Sequence, residues 1–196
     1  MKFAPGAKRF AGVAVVLAAA GTFLTPILSV AGVALALFTL WFFRDPERST
    51  PEAGIVSPAD GKVSVVREED GRLRVGVFMN VWNVHVNRAP LAGEIVDVEH
   101  TPGAHRPAFS KDSDRNERLR LTFEGHDVVL IAGAFARRIS PYVEAGDVVE
   151  RGERIGHIAF GSRADVVLPE GVDRDDLQVA EGDRVFAGET VLAAEP

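Results

Sequence analysis

At 196 residues, the chain suits one compact domain plus an appendage rather than two full domains. A formal net charge of −6 argues against a general nucleic-acid binder, whose footprint would be basic. The absence of cysteine excludes a disulfide framework, a thiolate zinc site and a thiol nucleophile.

The first element is apolar. Phe10 to Phe43 carries no charged residue, and as one helix it would run to about 51 Å, beyond the ~30 Å hydrocarbon core. Pro26 marks a break, and it disfavours helical geometry at Thr25. Lys2, Lys8 and Arg9 precede the run, and Arg44 and Arg48 follow it. If positive flanks stay inside, both ends are cytoplasmic and the segment is a re-entrant or spanning hairpin. A cleaved signal peptide fits less well, because the run is long and ends in Trp41-Phe42-Phe43 rather than small residues. Residues 1–44 are therefore expected to form a membrane-anchoring helical hairpin, with the rest of the protein on the cytoplasmic face of the cell membrane.

After Arg44 the texture changes. Asp45 to Pro51 reads as a polar, proline-flanked linker. Short β-rich runs then alternate with glycine turns: Lys62–Arg67, Leu73–Phe78, Asn83–Arg88, Glu94–Glu99, Leu119–Phe123, Val128–Ile131 and Arg163–Leu168. The expected fold class for residues 45–196 is mostly β. One pattern recurs: Val143-Glu-Ala-Gly146-Asp147-Val-Val149 and Val179-Ala-Glu-Gly182-Asp183-Arg-Val185, each followed by Gly-Glu. It resembles the barrel-sandwich folds of lipoyl and biotinyl carriers. The stretch between the copies holds no lysine for cofactor attachment, so a carrier role fails on chemistry. Thr101 to Arg118 reads as a long loop, favoured as a lid or binding loop because Phe109 would be idle there otherwise.

Three segments carry possible chemistry. Ser57-Pro58-Ala59-Asp60-Gly61 alone is most simply a turn. In Asn83-Val84-His85-Val86-Asn87-Arg88, strand alternation places Asn83, His85 and Asn87 on one face, which would equally suit a solvated outer strand. Phe160-Gly161-Ser162-Arg163 lies between the two Gly-Asp copies. There a serine hydroxyl can attack the preceding glycine carbonyl, since glycine has no Cβ to block the approach. The resulting ester can undergo β-elimination, and hydrolysis of the dehydroalanine leaves a pyruvoyl group and ammonia. An Asp–His pair is a familiar means of activating such a hydroxyl.

These segments together with Arg115-Asn116-Glu117-Arg118, behind an apolar leader ending Phe43-Arg44-Asp45-Pro46, resemble a short-type phosphatidylserine decarboxylase proenzyme. The ordered set is specific although each member alone is not. The resemblance implies self-cleavage between Gly161 and Ser162, giving a β chain (1–161) and an α chain (162–196) blocked by pyruvoyl. It implies an Asp60–His85–Ser162 triad for that cut, and a covalent pyruvoyl cofactor from Ser162. The pyruvoyl carbonyl would form a Schiff base with the serine headgroup of phosphatidylserine, releasing CO2 and yielding phosphatidylethanolamine. His85 is the candidate for moving the proton. Arg88, with Asn87 beside it, and Arg137 and Arg138 are candidates for the lipid phosphate. Longer relatives carry a second histidine where this chain has Trp82, so any role of that histidine does not transfer. An ether-lipid substrate, archaetidylserine, is the alternative with the same chemistry, and a non-catalytic tethered module is a weaker one. The five histidines lack His-x-His or metzincin spacing, so no metal is expected. Whether copies assemble into a homo-oligomer is open.

Overall fold

The computed structural model describes residues 2–103, 115–133, 139–159 and 162–196. The chain divides into two compact units, Met1–Glu47 and Arg48–Pro196.

In the first unit, β1 (Lys2–Phe3) pairs antiparallel with β2 (Arg44–Asp45). Between them run α1 (Ala7–Gly21) and α2 (Pro26–Phe42). Pro26 opens α2, where a fixed φ is pre-set for helix and the missing N–H would have had no helical partner. Thr25 is extended, and its Oγ1 accepts the Leu28 N–H at 3.4 Å as an N-cap. Small residues line the seam between the helices: Ala11, Ala14 and Ala18 from α1, Gly32 and Ala36 from α2. A Cβ on Gly32 would come within 2.7 Å of the Ala18 Cβ, so only glycine permits this approach. The large side chains Val16, Phe23, Ile27, Val30 and Leu37 are exposed. At 15 and 17 residues, neither helix is long and apolar enough to cross a membrane.

The second unit is built of strands. They are β3 (Ile55–Val56), β4 (Gly61–Glu69), β5 (Arg72–Met79), β6 (Val86–Arg88), β7 (Gly93–Thr101), β8 (Arg118–Phe123) and β9 (Asp127–Ala132). There follow β10 (Ile139–Pro141), β11 (Val148–Val149), β12 (Arg154–Ile158), β13 (Ser162–Val167), β14 (Arg184–Val185) and β15 (Val191–Ala193). Eight form one curled half-barrel sheet in the order β11-β7-β8-β9-β13-β5-β4-β14. Smaller sheets, β10-β12-β6 and β15-β3, complete the unit. Strand alternation builds the core. In β8, Leu119, Leu121 and Phe123 are buried while the residues between them are partly exposed. They meet Val75, Val77, Leu130, Ile155, Ala164 and Leu192 in one cluster, where each large side chain contributes about 1.5–3 kcal/mol.

The two Gly-Asp segments make the same bonds at opposite edges of the large sheet. Gly146 and Gly182 have φ of 95° and 96°, a region that favours glycine. The Gly146 N–H donates to the Ile95 carbonyl and the Gly182 N–H to the Val63 carbonyl, both at 2.8 Å. The chain then enters β11 beside β7, and β14 beside β4. A second correspondence joins Pro58-Ala59-Asp60-Gly61 and Pro90-Leu91-Ala92-Gly93, which share a Pro-x-x-Gly pattern. Arg88 N–H donates to the Pro58 carbonyl and Val56 N–H to the Pro90 carbonyl, both at 3.0 Å. Ser57–Gly61 and Ala89–Gly93 thus serve the same backbone purpose.

The seven expected β-runs all contain strand, with one correction. Only Val86–Arg88 of the Asn83–Arg88 run is strand, and Asn83 to Pro90 are all buried, so it is not a solvated outer strand. The bonds of Arg88 and Asn87 to the Pro58 carbonyl draw both side-chain sets inside.

His126, in the turn between β8 and β9, stacks on Phe123 with ring centroids 4.3 Å apart. Burial pushes its imidazole down to about 4; the Asp127 charge opposes this and the Arg72 charge adds to it. The folded state thus favours the neutral ring. The associated stability is complete above pH ~6.5 and is lost as pH falls toward about 4. His126→Gln is expected to remove about 3 kcal/mol of acid-side loss, measured by urea unfolding across that window.

Candidate active site

Ser162 is the first residue of β13, with Met79 of β5 and Ala132 of β9 as its neighbours across the two ladders. It is fully buried, and its Oγ lies 3.9 Å from the Met79 Sδ. Gly161, like Phe160, falls outside the described residues, as do Arg137 and Arg138.

The same sulfur ties Ser162 to a second predicted segment. Asn87 is fully buried, and its Nδ2 lies 3.7 Å from Met79 Sδ and 3.3 Å from the Pro58 carbonyl. Pro58 accepts the Arg88 N–H as well, so the Ser57–Gly61 turn is stitched to β6. On the other side of Ser162, Asn116 Nδ2 donates to the Ala132 carbonyl at 2.7 Å, and Ala132 N–H to the Glu117 carbonyl at 2.9 Å. All four motifs of the chain therefore converge on the head of β13.

His85 precedes β6 and is buried. Its Nδ1 is 3.0 Å from the Asn83 carbonyl. A carbonyl only accepts, so Nδ1 carries the hydrogen and the neutral ring keeps its lone pair on Nε2. Asp60 is also buried, and among the described residues its carboxylate is bound by Arg48 and Ala187 rather than by His85. Arg48 Nη2 lies 2.9 Å from both Asp60 oxygens, and the Ala187 N–H donates to Oδ1 at 2.9 Å. Arg48 Nη1 donates to Glu189 Oε2 at 2.7 Å. Burial works against the Arg48 charge, but Asp60 and Glu189 outweigh it and raise its pKa. Arg88 is buried as well, with Nη1 2.8 Å from the Gly152 carbonyl.

A family model described as phosphatidylserine decarboxylase matches residues 35–193. A relative from Halobacterium salinarum, provisionally named archaetidylserine decarboxylase proenzyme, is 66% identical over 165 residues, 84% of each chain. Phosphatidylserine decarboxylase proenzymes of Streptomyces coelicolor and Thermobifida fusca are each 52% identical. They cover 83% and 93% of this chain, and 76% and 84% of their own. The chain belongs to the phosphatidylserine decarboxylase family.

Two residues around Asp60 were not read from the sequence as site residues. Arg48 looked like a charge flanking the apolar leader, yet its side chain is only 8% exposed and grips Asp60. Glu189 looked like part of a turn signal. No local pattern connects positions 48, 60 and 189; folding does. Behind Ser162, Asp165 is fully buried between Arg74 and Arg163, at 2.6 Å and 2.7 Å. Gly76 makes room for it, since a Cβ there would lie 2.6 Å from Asp165 Oδ1.

Gly61, which follows the acid, has a similar duty. A Cβ on it would run into the Phe78 carbonyl. Gly61→Ala is expected to destabilise the β unit by about 1–3 kcal/mol, seen as a lower thermal midpoint.

Proposed function

We propose that the protein is a self-processing phosphatidylserine decarboxylase that makes phosphatidylethanolamine and CO2 with a pyruvoyl group formed from Ser162. The observation that carries this reading is Ser162, wholly buried at the head of a central strand where the four motifs meet. We read the β unit as barrel-sandwich-like, supported by the matched bonds of Gly146 and Gly182.

In the processing step, His85 takes the Ser162 hydroxyl proton through Nε2, the position left basic by the bond from Nδ1 to the Asn83 carbonyl. Ser162 Oγ then attacks the Gly161 carbonyl. The peptide C–N bond breaks, and residues 161 and 162 are joined by an ester. Loss of the Ser162 α-proton expels the Gly161 carboxylate and leaves dehydroalanine, which water converts to pyruvoyl and ammonia. Burial favours this sequence by keeping bulk water from the ester. Asp60 supplies negative charge that stabilises the protonated imidazole.

The position suits a small carbonyl group, lying against a thioether that is itself contacted by the Asn87 amide. Once formed, the group supplies an electron sink for loss of CO2 from an amine-linked serine headgroup. His85 holds the proton for the substrate α-carbon. Arg88, Arg137 and Arg138 remain the candidates for the phosphate, and Asn87 holds the floor of the site. A second reading, archaetidylserine as substrate, is favoured by the name of the 66% identical relative. The headgroup chemistry is the same for both lipids.

The apolar unit fits an anchor at headgroup level. Its large side chains face outward and its small ones inward, the arrangement of helices packed within lipid. Lengths of about 22 and 26 Å suit a re-entrant hairpin, with the β unit on the cytoplasmic face. Because the chain has no cysteine, Lys2→Cys and Glu52→Cys each create one label site. An impermeant maleimide is expected to reach both from the cytoplasmic side of oriented vesicles, and opposite sides would refute the hairpin.

Intact mass of the purified protein is expected to show chains 1–161 and 162–196, the smaller with a ketoacyl terminus. Ser162→Ala is expected to remain one chain and release no CO2. Asp60→Asn and His85→Ala are expected to slow the cut by about a hundredfold or more. A wild-type chain that stays whole yet releases CO2 would sink the mechanism. Parallel assays on ester- and ether-linked lipid decide between the two substrates.

A further inference from the structure

The acid at position 60 is held by a contact that crosses the proposed cut. Arg48 and Asp60 lie on the 1–161 side, while Ala187 and Glu189 lie on the 162–196 side. Arg48 binds both Asp60 oxygens at 2.9 Å and Glu189 at 2.7 Å. Its side chain is 8% exposed and that of Asp60 7%, so this is a largely desolvated pair. The fold itself does not require an acid here. Ser57–Gly61 and Ala89–Gly93 do the same backbone work, and the residue that corresponds to Asp60 is Ala92.

We propose that Arg48 is a positioning residue for self-processing: with Glu189 it clamps Asp60, fixing where the negative charge of the proposed processing acid sits. The proposal rests on the processing role of Asp60 argued above. Oδ1 takes two donors, from Arg48 and Ala187, whereas Oδ2 takes one, from Arg48. The Ala187 N–H makes that difference, while Arg48 holds both oxygens at equal distance and so fixes the carboxylate, leaving Oδ2 with more capacity to accept another hydrogen bond. A guanidinium suits this task because its planar fork spans two carboxylates, which a lysine ammonium does less well. Burial pushes the Glu189 carboxyl up, but the Arg48 and Ser49 hydrogen bonds and the Arg48 and Arg88 charges outweigh it. Glu189 is thus the anion that balances the clamp.

The test follows the rate of self-cleavage against pH in freshly synthesised full-length chain. Among the described residues, the charged groups around Asp60 are Arg48 directly, Glu189 through Arg48, and Arg88 near Glu189. Losing the Arg48 cation removes positive charge from this buried cluster, so the acid limb of the cleavage rate moves to higher pH. Losing the Glu189 charge favours the opposite. Arg48→Met is expected to slow the cut by about a hundredfold, the cost of a misplaced group, and to raise the acid limb by about one unit or more. Arg48→Lys is expected to recover part of both. Glu189→Gln, which keeps an acceptor for Arg48, is expected to lower the limb.

Cleavage of Arg48→Met at the wild-type rate and profile, with Asp60→Asn uncut, would overturn the clamp and leave the processing mechanism standing. Slow cleavage with an unmoved acid limb and no recovery in Arg48→Lys would also overturn it, leaving a purely structural role. If Arg48→Met does not fold, the opposite shifts expected of Arg48→Lys and Glu189→Gln still decide the matter. Failure of the wild type to cut would instead refute the processing mechanism itself.

Discussion

Strand β13 has a hydrogen-bonded neighbour on each side, and most of the structure follows from that placement. Each residue from Ser162 to Val167 is paired with β5 and with β9. A backbone broken just before this strand keeps both ladders, so the proposed 162–196 product stays seated in the middle of the sheet. Further on, β14 pairs with β4 and β15 with β3, which adds two more attachments. A serine at the free end of an edge strand would have neither this support nor this burial.

The same placement explains the charges buried behind the site. Asp165 is three residues along β13 from Ser162, wholly buried, and bound by Arg74 from β5 and Arg163 from its own strand. Removing one partner from such a group typically costs about 3–5 kcal/mol, so the strand's register is strongly tied to Arg74. Arg74 in turn contacts Glu69 at 2.8 Å, and burial acting on its guanidinium is overcome by the charges of Asp165 and Glu69. Gly76 is glycine for this reason.

Around this strand the β unit uses one scheme twice. The Pro58 and Pro90 carbonyls accept equivalent bonds, and Gly146 and Gly182 anchor equivalent turns at opposite sheet edges. Equivalent bulges interrupt β4 between Val63 and Val65, and β7 between Ile95 and Asp97. What differs between the halves is chemistry. Asp60 stands where the other half has Ala92, so the backbone scheme that the halves share does not by itself call for an acid at this position.

Much of this was legible in the residues. Alternating apolar positions and glycine turns located the strands, because a two-residue period and positive φ leave local marks. The four motifs were legible as an ordered set, and Pro26 as a break in the apolar run. The neighbourhood of each motif was not. Strand order depends on which distant segments share a core, and nothing near position 162 names Met79 or Ala132 as its neighbours. Asn83–His85 satisfied strand alternation yet form no strand, and the Asn83 N–H is taken by the Asn80 carbonyl rather than by a ladder partner. Arg48 carried a charge next to an apolar run, and the sequence offered membrane topology as its meaning. Only the tertiary structure brings it within 2.9 Å of Asp60 and 2.7 Å of Glu189, since an ion pair spanning 141 residues has no local signature.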